Sequence, residues 1–140
     1  TPTLQKIHMF AYFWVATGGA LGSVARYWLS GVVAQQTGAT FPWGTILVNA
    51  SGSLVIGVFA ALTGADGRWL VPDWFRQQFF MLGLCGGYTT FSSFSLQTLN
   101  LAQAGEWLYA SANVVLSVLT CLAAVWLGHG LAAALNVVSR

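Results

Sequence analysis

The sequence predicts an all-α integral membrane fold of four spans, the third of them broken part-way. Three observations predict it. Charged residues make up 6% of the 140 residues and hydrophobic residues 56%, against about 25% charged in a soluble domain, so there is too little charge to cover a water-facing surface. Four apolar runs reach the roughly 20 residues that a spanning helix needs. The third run is interrupted at 83–95, which reads Gly83-Leu84-Cys85-Gly86-Gly87-Tyr88-Thr89-Thr90-Phe91-Ser92-Ser93-Phe94-Ser95. Mean hydropathy of +0.69 agrees. Residues 1–140 read as a single membrane domain with short loops at 34–42, 63–77 and 102–106, no extramembrane domain and no internal repeat.

The first span covers about 9–33. No small-residue cleavage site follows its start, so no signal peptide is expected. Gly18, Gly22 and Arg26 recur every four residues and share one face, and Gly-x-x-x-Gly permits close helix approach. Arg26 lies in the last third of the run, where a charge costs a few kcal/mol unless it snorkels or lines water. Both readings stay open.

The second span, about 43–62, begins just after Pro42. Thr45, Asn49, Gly52 and Ser53 fall within about 100° of arc on a helical wheel. Asn49 is an amide in apolar surroundings. It serves either as an interhelical hydrogen bond worth about 1 kcal/mol or as an NH₂ donor facing a pore, which suits an anion.

The loop that follows carries Asp66, Arg68, Asp73 and Arg76, read as solvated charges. Its Trp69, Leu70, Val71, Trp74 and Phe75 read as lying along the membrane surface, with Trp43 and Trp107 completing an aromatic belt.

The third span, about 78–101, contains the break. A glycine pair is expected to interrupt the helix cheaply, and the freed backbone groups then need protein or a wet cavity around them. A half-helix starting near Thr90 aims a positive dipole end into the membrane. Five of the seven residues 89–95 are polar, with Phe91 and Phe94 among them. A kink packed on a neighbour is the plainer alternative. In the fourth span, about 107–127 or on to 138, Asn113, Ser117 and Cys121 recur every four residues with Thr120 beside them. Polar stripes on the second, third and fourth spans favour a shared pathway over packing alone.

What is missing narrows the function. The only acids, Asp66, Asp73 and Glu106, fall in loops, and His8 and His129 lie near helix ends, unpaired in sequence. No nucleophile has a base, so no enzyme is expected. No carboxylate lies within a span for proton-coupled transport. Cys85 and Cys121 have no CxxC spacing and read as small core residues. A net charge of +2, with Lys6, Arg26, Arg68, Arg76 and Arg140 scattered, argues against nucleic acid.

Gly44-Thr45-x-x-Val48-Asn49-x-x-Gly52, followed by Gly83-x-x-Gly86-Gly87-x-Thr89-Thr90-Phe91-Ser92-Ser93-Phe94-Ser95, resembles the Fluc (CrcB) small fluoride channels of microbes. The Gly18-x-x-x-Gly22-x-x-x-Arg26 run fits as well, so the likeness spans the four-span layout, with the third-span motif its specific part. The resemblance implies a multi-pass protein of the cell (inner or plasma) membrane that lets fluoride leave the cytoplasm passively. It implies an antiparallel, dual-topology homodimer with two pores and a sodium ion at the dimer centre. Phe91 and Phe94 match the phenyl rings lining the pores, Asn49 the pore amide, and Ser117 a pore hydroxyl flanked by Asn113 and Cys121. Gly86 and Thr89 match the backbone carbonyls that hold sodium. Two departures stand out: Gln97, where many members have Glu, and Cys121, where many have a hydroxyl.

The alternatives are a small dual-topology multidrug transporter, which needs a membrane carboxylate, and a non-transporting membrane scaffold. Orientation adds a tension. In a four-span chain Lys6, Arg68, Arg76 and Arg140 share one side and only Arg26 can reach the other, a modest bias toward termini inside, and dual insertion is expected all the same.

Overall fold

The computed structural model describes residues 2–138; the Lys6 and His8 side chains and Arg140 lie outside the described residues. The described chain is helical throughout, without strands. Helix α1 runs Pro2–Thr37, α2 Trp43–Thr63, α3 Trp74–Cys85 with one further turn at Gly86–Tyr88, α4 Phe91–Gln103, and α5 Trp107–Val138. Helices cover the expected runs; α1 and α5 extend beyond them, and α3 begins at Trp74, inside the expected 63–77 loop. α2 and α5 are by length and apolarity sufficient to cross a membrane. α1 has 36 residues but is more polar, and α3 and α4 are separated by the break.

Loop chemistry sets the ends of these helices. Gly38 and Gly105 take positive φ, 79° and 80°, the left-handed conformation that glycine adopts without strain after a helix. The Pro72 carbonyl accepts from the N–H groups of Phe75 and Arg76 and starts α3. That helix is wound in the π form through Cys85, with the Gly86 N–H reaching back to the carbonyls of Met81 and Gly83. An apolar run does not distinguish i→i+5 from i→i+4 bonding, so the sequence carried no sign of it.

Two tight crossings build the scaffold, α1 on α3 and α2 on α5, and α4 lies against α5. Both crossings bring backbone onto backbone. A Cβ at Gly18 would collide with the Phe79 carbonyl, one at Gly22 with the Leu84 carbonyl, and one at Gly87 would sit 2.6 Å from the Gly19 carbonyl oxygen. Likewise a Cβ at Gly57 would lie 2.5 Å from the Val125 carbonyl oxygen, and one at Gly128 would strike that of Leu54. The glycine face of the first span is therefore a packing face, as its spacing suggested.

The glycine pair does not make the break. Gly86 is helical, φ −64°, ψ −38°, and the chain leaves the helix at Thr89 (φ −82°, ψ 158°) and Thr90 (φ −151°, ψ 112°). Gly87 serves the close approach to α1 instead.

One charge of the expected 63–77 loop, and that loop's backbone, are held in place. Arg76 donates from Nε to the buried Thr63 hydroxyl at 3.0 Å. The Arg68 N–H donates to the Asn136 side-chain oxygen at 3.3 Å, and the Asn136 NH₂ to the Ala61 carbonyl at 2.9 Å. The 64–73 loop is thus fastened to the ends of α2 and α5.

Candidate functional site

The break is held open by one side chain. The Asn49 NH₂ donates to the Thr90 carbonyl at 3.0 Å, and the Thr90 N–H donates to the Asn49 carbonyl oxygen at 2.7 Å. Asn49 thus pairs with both backbone groups of an extended residue, as a neighbouring strand would. Gly52, one turn on, leaves the space into which the Thr89 methyl fits. The Thr90 hydroxyl caps α4 by accepting from the Ser93 N–H at 3.2 Å and bonds with the Ser93 and Ser92 hydroxyls at 3.0 and 3.3 Å. Three hydroxyls therefore cluster at the positive end of a 13-residue helix, where a negative charge is favoured.

Those bonds also release two carbonyls. In a continuous helix Gly86 O would accept from Thr90 N–H and Thr89 O from Ser93 N–H. Here Thr90 N–H goes to Asn49 and Ser93 N–H to the Thr90 hydroxyl. Gly86 and Thr89 both line the adjoining cavity, and a Cβ at Gly86 would meet nothing nearer than 3.7 Å. Backbone oxygens freed at a helix break suit a hard monovalent cation, so these residues fit a sodium ion.

The cavity has a volume of about 450 Å³ and is walled by α2, α3, the break, α4 and α5. Asn49, Phe91, Phe94, Ser117 and Cys121 all reach it, and neither an acid nor a basic side chain does. The two phenyl rings lie 5.2 Å apart, centroid to centroid, tilted by 51°. Phe94 is buried, whereas Phe91 is 77% exposed on the single chain.

Asn113 is placed differently. It is fully buried, off this cavity wall, and donates to the Thr98 hydroxyl at 2.8 Å, which donates to the Phe94 carbonyl at 2.8 Å. It also accepts from Ser117 at 3.3 Å. Asn113 therefore ties α5 to the backbone of a ring-bearing residue and positions Ser117. Thr120 bonds back to its own helix at Leu116 O, 2.6 Å.

Arg26 and Thr45 line a second, polar cavity of about 300 Å³ with Ser30, Thr90, Ser93 and Gln97. A third, about 350 Å³, shares Ser30, Thr45 and Gln97 with it and continues to Phe41, Pro42 and Asn100. Thr90 belongs to both the second cavity and the ring-lined one. The three cavities thus share lining residues from the end of α1 to the break, with Arg26 on the wall of the second. Ser93, Thr98 and Gln97 were not singled out as lining or supporting groups. Their i, i+4 and i+5 spacing on α4 was the available signal. Tyr88 was also missed, and its hydroxyl is 2.8 Å from that of Ser51.

The chain matches the family described as CrcB-like protein, Camphor Resistance (CrcB), over residues 13–129. It is 67% identical over 119 residues to a protein of Rhodospirillum rubrum named fluoride-specific ion channel FluC, covering 84% of this chain and 91% of that one. Proteins of the same name from Methylocella silvestris and Paramagnetospirillum magneticum are 59% and 58% identical over 125 and 128 residues, covering 89% and 91% of this chain and 95% and 99% of theirs. A family match across both tight crossings, the break and the ring pair, with relatives alike along nearly their whole length, makes this chain a member of the CrcB family and a membrane protein.

Proposed function

We propose that this protein is a fluoride-selective channel that lets fluoride leave the cytoplasm passively. The observation that carries the reading is the ring-lined cavity, where hydroxyls, an amide and two phenyl rings meet with no acidic or basic side chain. A ring edge is the positive part of the aromatic quadrupole, so ring edges and small donors can replace fluoride's water. A site without a cationic side chain binds loosely enough to release, as conduction requires. Arg26 attracts the anion at the vestibule, one cavity earlier. The relatives' shared name supports the same ion, and it names a channel rather than an enzyme. A multidrug transporter lacks its membrane carboxylate, since Asp66, Asp73 and Glu106 lie between the helices.

Fluoride efflux from liposomes holding the purified protein tests the reading, and silence in that assay would end it. Phe91→Ile and Phe94→Ile are each expected to lower efflux about tenfold with the protein still folded, a loss of about 1.4 kcal/mol at the point of passage. Wild-type efflux in both variants would remove the rings from the mechanism.

The working unit we propose is an antiparallel homodimer of four-span subunits in the cell membrane, with two pores. Phe91 supports it: a large ring at the cavity's rim is left open on one chain, and a second, inverted copy would cover it. Reporters fused to the C-terminus and active on one side only should signal from both sides; a cytoplasmic signal from essentially every copy would exclude the arrangement. Within it, the Gly86 and Thr89 carbonyls would hold sodium, which supplies a fixed positive charge that ties the two breaks together. Because main-chain oxygens are the ligands, Thr89→Ser should retain efflux. Undiminished efflux after exhaustive sodium removal would count against the ion.

A further inference from the structure

We propose that the ring-lined cavity is also a binding site for soft, thiophilic cations such as silver(I), and that loading it closes the channel. The cavity contains both cysteines of the chain and one of its two methionines. Met81 and Cys85 come from α3, four residues apart, and Cys121 lines the same cavity from α5. Cys85 is buried and Cys121 is part-exposed on the single chain.

Thiol and thioether sulfurs select soft metals, while carbonyl oxygens prefer hard ones. The same chamber can therefore hold sodium on its backbone oxygens and a soft cation on its sulfurs without the two ions competing for ligands. On binding, silver(I) forms S–Ag bonds and each thiol that ligates gives its proton to water; no electron is transferred and no oxidant is needed. The bound ion would then stand among the groups that fluoride must pass. Passage requires a clear path and loose binding, and a cation held on sulfur between α3 and α5 would fill that space. The inhibition rests on the channel reading; the binding does not.

Two measurements separate these. Silver bound to the purified full chain, in chloride-free buffer with silver nitrate as the probe, should reach one ion per chain. It should fall at least tenfold in affinity in Cys121→Ser and in Cys85→Ala, and by a smaller factor in Met81→Leu. In liposomes, inhibition is read as the ratio of efflux with and without silver within each variant, so a change in basal flux does not enter. Wild type should slow at least tenfold at micromolar silver, recover on adding dithiothreitol, and lose that sensitivity in Cys121→Ser and Cys85→Ala. Equal silver binding in wild type and both cysteine variants would overturn the site. Loss in Cys121→Ser alone, with Cys85→Ala and Met81→Leu unchanged, would reduce it to one exposed thiol and likewise overturn it. Silver bound without any slowing of a working channel would overturn the closure. No efflux even without silver would instead condemn the channel reading and leave the binding result standing.

Discussion

Asn49→Ala is expected to lower fluoride efflux about 100-fold or more. The side chain makes two hydrogen bonds to one residue, donating to Thr90 O at 3.0 Å and accepting from Thr90 N–H at 2.7 Å. Alanine leaves both backbone groups without that partner, at a cost of about 1–3 kcal/mol each. Each 1.4 kcal/mol is a factor of ten in a population, so two such losses suffice to empty the open conformation. The chain also has somewhere else to go. Once free, Thr90 N–H can fold back onto Gly86 O and continue the helix, which would withdraw the Gly86 carbonyl from the cavity and move the rings. Asn49→Asp separates the contributions: it keeps an acceptor for Thr90 N–H but sets a carboxylate against Thr90 O, so it should conduct no better than the alanine variant. Efflux is measured beside the elution position on a sizing column. Wild-type efflux in Asn49→Ala would refute the role given to the pair. Loss of efflux together with collapse of the folded species would make Asn49 a packing residue only.

How far the sequence reached can be seen at the same residues. The apolar runs located the helices because twenty-odd residues without charge have few other uses. The start of α4 at Thr90 was legible as well, since a hydroxyl followed by serines is a helix start in any setting. The cause of the break was not. Glycine's conformational freedom made Gly86-Gly87 the obvious hinge, yet both stay helical, and the extended residues are threonines held by an amide 41 positions away. No local pattern encodes such a contact. The stripe on α5 was read as a single surface, but Ser117 and Cys121 reach the cavity while Asn113 turns to Thr98. A helix face about 100° wide can serve a cavity and a neighbouring helix at once, and one turn decides between them. The mate of Arg76 was hidden for the same reason: Thr63 lies in the preceding helix, and only the fold brings the two within 3.0 Å.

Gly22→Ala is expected to give the largest loss of stability of any single methyl added to the chain's first helix. The new Cβ would fall inside the contact distance of the Leu84 carbonyl oxygen and only 2.7 Å from the Tyr88 nitrogen. Both are backbone atoms, so no side chain can swing aside, and α1 must move off α3. Overpacking of this kind costs about 1–3 kcal/mol. In a helix alanine is otherwise worth about 1 kcal/mol over glycine, so the net loss should be at most about 2 kcal/mol and should be read against a control. The structure supplies one. A Cβ at Gly19 or at Gly31 meets nothing within 4 Å, so Gly19→Ala and Gly31→Ala should be neutral or slightly stabilising, although all three glycines lie in the same helix. Thermal unfolding in detergent, followed by sizing, compares the three directly. The effect should also reach function, because Tyr88 lies next to Thr89 and Thr90: pushing α1 away from that turn displaces the break that Asn49 holds from the other side. Efflux in Gly22→Ala should therefore fall with stability, while Gly19→Ala and Gly31→Ala conduct like wild type. Equal melting temperatures for Gly22→Ala and Gly19→Ala would mean that the two backbones do not touch as described, and the close crossing of α1 on α3 would have to be abandoned.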